Sequence, residues 1–223
     1  AALVLVAVSP LILQRPEAVS RSEADEVLVV ITPHNETIRS EFTEAFNAYW
    51  QKKTGKKVYI DWRTPGGTSE IRMVLDSKFT NAKGGGVGID VFFGGGEYIF
   101  EKMAKAGRFE KLDVFSTHED WFDGKLGIPR MYTGETYYNK EKYWVGVCLS
   151  QFGICYNVDN LERLRIEPPK TWDDLSDPKY LGSIAMADPT KSGSVARAFE
   201  MLVQQKIHQS LASTRRQPGE TEE

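Results

Sequence analysis

The chain has 223 residues, a formal net charge of −3 and 41% hydrophobic residues, the composition of an ordinary soluble globular protein of one large or two small domains. The nearly balanced charge does not point to nucleic acid or an anionic membrane as a partner. Two cysteines are too few for a disulfide framework. Cys148 and Cys155 lie in a segment typical of extended backbone, which predicts free, mostly buried thiols.

An apolar run at the start of the chain predicts a secretory signal. Residues 1–8 and 11–13 are apolar, but the run falls short of the ~20 residues that a membrane-spanning helix needs. Ala18 and Ser20 place small residues at the −3 and −1 positions of a cleavage site after Ser20. We predict a signal peptide, or alternatively a retained N-terminal membrane anchor, with its linker over residues 1–26. The predicted location is periplasmic or otherwise extracytoplasmic.

Three strand–loop–helix units follow at a spacing of about thirty residues, the size of a βαβ repeat. The predicted strands are residues 27–32, 58–62 and 89–93, and the first of them is an apolar run typical of a parallel strand buried on both faces. The first helix carries an apolar stripe that predicts one buried face, and Gly55 is its predicted C-cap. The third helix is predicted over residues 97–106. The stripe comprises Ile38, Phe42, Ala45, Phe46, Tyr49 and Trp50. This alternation predicts the α/β fold class, with a parallel, doubly wound lobe.

The loops after these strands are the predicted ligand edge, because ligands of such sheets bind beyond the carboxyl ends of the strands. Their glycines allow a ligand to approach backbone N–H groups at a helix start, although plain turns have the same composition. Asn35 is more typical of a helix N-cap, and His34 is either a metal ligand or a solvent-facing side chain. The candidate contacts are His34, Asn35, Thr64, Gly66, Gly67, Thr68, Gly95, Gly96 and Glu97.

The second half of the chain predicts two β-like runs, residues 143–149 and 152–156, and later a short strand over 183–186. A turn-rich loop and a helix from about Ser194 through Lys206 follow. A strand, a small-residue loop and a helix N-terminus together form an anion site, although helix capping is the commoner role of such serines. The candidate contacts here are Thr190, Ser192, Gly193 and Ser194. Residues 207–223 show no apolar periodicity, which predicts a disordered tail.

Three phrases of this half resemble bacterial extracytoplasmic solute-binding proteins that feed ABC importers. They are Thr171-Trp-Asp-Asp-Leu, Asp177-Pro-Lys-Tyr-Leu-Gly-Ser-Ile-Ala and Asp188-Pro-Thr-Lys-Ser-Gly-Ser194. The resemblance spans about residues 27–205 and looks like a type II periplasmic binding protein, closest to the iron(III)-type branch. It implies lobe one over 27–142, crossover or hinge strands over 143–160 with Ser150 and Gln151 in the site, and a partial lobe two over 161–206. Complete members continue further, so the chain resembles an N-terminal fragment.

The resemblance implies a monomeric binding protein without a resident cofactor that captures a small ligand in a cleft between its lobes and delivers it to an ABC permease. Ferric ion or a chelated metal is the favoured ligand, with His34 as a metal ligand, and an organic or phosphate-bearing anion is the alternative. A membrane-tethered sensor domain and an enzyme on the same fold are alternatives from other classes. The sequence lacks the G-x-S-x-G, H-E-x-x-H and C-x-x-C motifs, so we predict no enzymatic activity. Tyr137 and Tyr138 resemble an iron-binding tyrosine pair but precede the crossover, which favours a packing role.

Overall fold

The computed structural model describes residues 19–82, 86–122, 127–132, 134–148 and 153–214. They form two compact units, divided between Gly94 and Gly95. The signal segment, apart from the end of its predicted cleavage site, lies outside the described residues. In the described ranges, no helix has both the length and the apolar character needed to span a membrane. The predicted division into lobe one and a partial lobe two stays a prediction.

The N-terminal unit is built on a parallel three-stranded sheet. Its strands are β1 (Glu26–Ile31), β2 (Val58–Arg63) and β3 (Val91–Phe92), in the order β2-β1-β3. Strands β1 and β2 pair along their whole length, whereas β3 pairs with β1 at only two positions. The first two predicted strands are confirmed, and the third is shorter than predicted.

Two helices connect these strands, α1 (Glu36–Thr54) and α2 (Thr68–Asn81). From β1 the chain passes to β2 at one edge of the sheet, and from β2 it crosses past β1 to β3 at the other edge. Right-handed crossovers therefore place α1 and α2 on opposite faces. The predicted α/β class with a parallel sheet is confirmed. The buried core of this unit comprises Val30, Ile31, Val58, Ile60, Ile71 and Leu75.

The stripe on α1 is less buried than predicted. No residue of α1 is fully buried, and Phe42 and Tyr49 are 49% and 52% exposed. A sheet of three described strands is too narrow to cover the whole stripe. The helix ends are as predicted, since Gly55 has a φ of 76° and its N–H donates to the Gln51 carbonyl.

The C-terminal unit is mainly helical. Its elements are α3 (Glu97–Lys105), α4 (Val114–Thr117), the hairpin β4 (Met131–Tyr132) and β5 (Glu135–Thr136), α5 (Val158–Leu164) and α6 (Gly193–Thr214). Short 3-10 turns occupy Glu119–Trp121, Asp173–Ser176 and Pro178–Tyr180.

A polar network lies inside the first part of this unit. The Glu101 carboxylate accepts hydrogen bonds from Asn139 Nδ2 at 2.9 Å and from Trp144 Nε1 at 3.3 Å. Asn139 and Trp144 are buried, so the network satisfies polar groups that burial would otherwise penalise.

The predicted packing role of the tyrosine pair is confirmed. The Tyr138 ring packs against Phe115 and Phe122, with both centroid separations 5.3 Å, and Tyr137 contacts Tyr132.

The predicted β-like runs at 143–149 and 152–156 are wrong for the residues that the structure describes, whereas the crossover or hinge role of 143–160 stays a prediction. Residues 143–148 and 153–157 form no strand, and the bridge between Tyr138 and Val145 is the one pairing seen in these described ranges. An extended run becomes a strand only when a neighbour accepts and donates its backbone hydrogen bonds. Cys148 and Cys155 are free, as predicted, but both are exposed rather than buried, since the residues beside them form no strand that could pack into a sheet.

Two further corrections concern the end of the chain. Residues 183–186 form no strand, and Ile184 and Met186 are 48% and 58% exposed. Helix α6 continues to Thr214 rather than ending at Lys206, since no Gly or Pro interrupts residues 207–214 and Gln209, Leu211 and Ala212 are good helix formers. The part of the predicted tail over 215–223 lies outside the described residues.

Candidate functional site

The first strand-end loop caps α1. Asn35 Oδ1 accepts the Ile38 N–H at 3.1 Å, which confirms Asn35 as an N-cap. The hydroxyl of Thr32, a fully buried residue, accepts the His34 N–H at 3.2 Å. The backbone before α1 is thus fixed by two side-chain hydrogen bonds.

His34 packs into an aromatic cluster at the end of the sheet. Its ring lies edge-on to Phe93 with a centroid separation of 5.0 Å, and Phe93 also contacts Phe42 and Trp62. Burial in this apolar setting lowers the pKa of His34 below its ordinary value, because the charged form loses hydration. The lowered pKa favours the neutral imidazole, which is the form that binds metals.

The metal role of His34 is not settled by its surroundings. In the described ranges, no group of three or more His, Cys, Asp and Glu side chains lies close enough together to hold a metal ion. The Nε2 atom of His34 faces the backbone of Gly94, so ligation through that atom requires the ring to turn. His34 as a metal ligand stays a prediction.

The second loop leads from β2 into α2 through Gly66 and Gly67. No side chain caps α2, whose N-cap is Gly67, but the Glu70 side chain folds back beside Gly66. Glu70 Oε2 is buried without a hydrogen-bond partner in the described part of the chain. A carboxylate at this helix start competes with an anionic ligand, so the loop is a weaker anion site than its glycines suggest.

A surface depression of about 440 Å³ lies in the N-terminal unit beside α2. Ile31, Trp62 and Val74 contribute to an apolar lining, and Arg63 and Lys78 are its charged residues. Of the predicted contacts that the structure describes, Thr64 alone lines it. The predicted contact residues therefore do not come together in this depression.

The third loop is the glycine run before α3. Gly94 and Gly95 have φ values of 90° and 134°, and Gly96 is the N-cap of α3 without a side-chain cap. Glu97 occupies the first turn. The Ile99 N–H donates to the Gly96 carbonyl at 3.3 Å, so a backbone contact rather than a side chain closes this helix start.

The fourth loop is held by its own hydrogen bonds. Asp188 Oδ1 accepts the Thr190 N–H at 2.9 Å and the Thr190 hydroxyl at 2.7 Å, and these bonds, led by the hydroxyl, lower the pKa of Asp188. Ser192 Oγ accepts the Val195 N–H at 3.4 Å, a capping contact of α6. Gly193 and Ser194 begin α6 at the predicted place. Ser150 and Gln151 lie outside the described residues.

The first turns of α6 carry Arg197, which is absent from the predicted contacts. Its Nη1 lies 2.7 Å from Glu200 Oε2. This hydrogen bond raises the pKa of the Arg197 guanidinium, and Glu135 and Glu97 add smaller electrostatic contributions. The sequence does carry one signal for Arg197. It is a cation near a helix N-terminus, a position that the helix dipole disfavours.

The first phrase of the resemblance is structural. Asp174 Oδ2 accepts the Thr171 N–H at 2.8 Å and the Lys170 N–H at 2.7 Å, and Thr171 Oγ1 accepts the Asp174 N–H at 3.4 Å. This reciprocal pair is a capping-box arrangement, here on a 3-10 turn. Lys206 of α6 pairs with Asp173 at 2.7 Å, which ties the turn to the helix.

Comparison with known proteins identifies one family and several curated relatives. The model of a family described as bacterial extracellular solute-binding protein matches residues 87–217, more than half of the chain. An uncharacterized protein of Haemophilus influenzae is 30% identical over 117 residues, 52% of this chain and 31% of that protein. The phosphoglycerate transport regulatory protein PgtC of Salmonella typhimurium and of Salmonella typhi is 36% identical over 62 residues, 28% of this chain and 16% of PgtC.

The chain spans less than a third of the length of these curated relatives. The family match itself covers α3 to α6 and includes the three phrases noted in the sequence. The chain belongs to the family of bacterial extracellular solute-binding proteins.

Proposed function

We propose that the chain is part of the extracytoplasmic solute-binding component of an ABC importer and that it captures a small anion. It would act by binding and release rather than by catalysis, as a periplasmic monomer that delivers its ligand to a membrane permease. The family match supports the solute-binding role.

Arg197 is the residue that supports an anionic ligand. A guanidinium in the first turns of α6 offers a paired donor for a carboxylate or phosphate. Glu200 pairs with this guanidinium. An anion that displaces Glu200 exchanges one carboxylate partner for another, so the pairing is not lost.

Two classes of anion compete. The partial similarity to PgtC, whose name refers to phosphoglycerate transport, supports a phosphate-bearing organic anion. Ferric ion or a chelated metal is favoured by the resemblance to the iron branch, and a carboxylate chelate would present the same chemistry to Arg197.

Isothermal titration of the chain with phosphoglycerate, inorganic phosphate and ferric citrate tests the proposal. We expect phosphoglycerate to bind, and R197Q to weaken it at least about tenfold, because a charge-assisted pair is lost. The matched control is R163Q on α5, where the guanidinium bonds to Asn160 of the same helix. Equal affinity of R197Q and R163Q would remove Arg197 from the site. Binding of ferric citrate alone would favour the metal class, and no heat with any probe would refute capture by this chain.

A further inference from the structure

The aromatic cluster around Phe93 joins the ends of all three strands of the N-terminal unit. His34 follows β1, Trp62 belongs to β2 and Phe93 follows β3, and Phe42 of α1 packs on the same ring. The Phe93 N–H donates to the Ile31 carbonyl at 2.9 Å, and Trp62 Nε1 donates to Thr43 Oγ1 at 2.9 Å. Hydrogen bonds of Phe93 and Trp62 thus attach the cluster to β1 and α1.

His34 and Gly94 fit together at the rim of this cluster. A Cβ atom added at Gly94 would lie 2.8 Å from His34 Cδ2 and 3.0 Å from Cε1, and closer still to Nε2. Real Cβ atoms essentially never approach other atoms so closely, so any side chain at position 94 must push the imidazole away. The φ of 90° at Gly94 is a second, independent reason for glycine there.

We propose that His34 is a positioning residue whose ring, seated on Gly94, fixes the third strand-end loop relative to the first. The seat holds the glycine run at its first residue, Gly94, within the N-terminal unit. The role in ligand binding rests on the proposed function, because it assumes that this loop contacts the ligand. The seating itself does not depend on any ligand.

A double-mutant cycle on the full chain tests the seat. G94A should lower the Tm by about 5 °C or more, since it adds both a collision and backbone strain. In the H34A background the collision is gone, so G94A should cost clearly less. The matched control is G55A, which has a similar φ of 76° but open space around its Cβ, and whose cost should be the same in both backgrounds. Equal losses for G94A with and without His34 would overturn the proposal.

Hydrogen exchange separates positioning from a general structural role. H34A alone creates no collision, and it should speed amide exchange in peptides covering residues 93–96 about tenfold while exchange in β1 stays unchanged. Uniform acceleration across the unit, or no change at residues 93–96, would overturn the proposal. Soluble H34A/G94A beside insoluble G94A would count as rescue and support it. Titration with phosphoglycerate is a separate measurement: loop loosening without a change in affinity would refute the ligand role and leave the seat intact.

Discussion

Residues 26–93 and residues 153–214 carry apolar side chains in similar helical and extended patterns, yet only the first segment buries them. In the first segment Ile31, Ile71 and Leu75 are at most 3% exposed. In the described residues 153–214 Tyr180 alone is buried, and Leu181 and Leu211 are 89% and 60% exposed. Both segments therefore contain the apolar residues that a core needs, but only residues 26–93 bury several of them together.

The two segments differ in whether a second layer covers their helices, and not in how well the helices themselves form. Helix α2 covers a sheet whose strands satisfy one another's backbone groups, and its apolar stripe meets a second apolar surface. Helix α6 is longer, but its apolar side chains face no sheet among the described residues. An apolar stripe becomes a core only when another layer covers it, and most of a helix's stability in proteins comes from that packing.

The largest expected effect is on local opening. Amides of β1 should exchange at least about a hundredfold more slowly than those of residues 203–211, because opening β1 breaks the core and opening the end of α6 breaks little. Hydrogen exchange with mass spectrometry on the intact chain measures this, and limited proteolysis should cut 153–214 first. Equal protection of the two regions would show that α6 has a partner layer and would remove the contrast.

A matched pair of substitutions sharpens the same contrast. I71A removes a side chain with no exposed area and should destabilise the chain by about 2–5 kcal/mol. I207A makes the same chemical change at a residue that is 52% exposed and should cost less than about 0.5 kcal/mol, since alanine also favours helix. Urea unfolding followed by tryptophan fluorescence compares them. Similar costs at the two positions would contradict the interpretation.

Features that depend only on residues a few positions away in the chain were predictable from the sequence. The first two strands, the Asn35 cap, the Gly55 end of α1 and the Thr171–Asp174 pair all follow from patterns within a few residues. Features that depend on distant partners were not. The strand predicted at 183–186 and the burial predicted for the two thiols both assumed neighbours that the described chain does not supply there.

The candidate site shows the same division. Capping by Asn35 and Ser192 is local and could be weighed from the sequence against ligand contact. The seating of His34 on Gly94 joins residues sixty positions apart and requires knowledge of the parallel register. The placement of Arg197 near Glu97 and Glu135 likewise depends on how α3, the hairpin and α6 pack.

Two helix caps provide a smaller test of the comparison. Asn35 caps α1 and Asn157 caps α5 by the same contact, the latter accepting the Asn160 N–H at 2.8 Å. N35A should lower the free energy of unfolding by about 1 kcal/mol, because α1 is part of the cooperative unit. N157A should change global stability less, although α5 itself frays. Urea unfolding and circular dichroism give the two readouts, and a larger global loss for N157A would argue that α5 belongs to the main core.

The smallest expected effect is a pH dependence confined to the N-terminal unit. Burial lowers the pKa of His34, so in the window below its ordinary value of about 6.5 the unfolded chain binds more protons than the folded one. Stability of this unit should therefore be level above that value and fall as the pH drops through it towards the folded pKa. Carboxylates such as Glu26, whose pKa is lowered by its bonds to Lys56 and Trp50, contribute at lower pH still, so the window from about pH 5.5 to 7.5 isolates the imidazole. Urea unfolding across this window should show a slope that H34Q removes, while exchange in residues 203–211, corrected for intrinsic rates, stays level. A slope that persists in H34Q, or stability that rises on acidification, would place the titrating group elsewhere and would separate the His34 seat from the acid response of the unit.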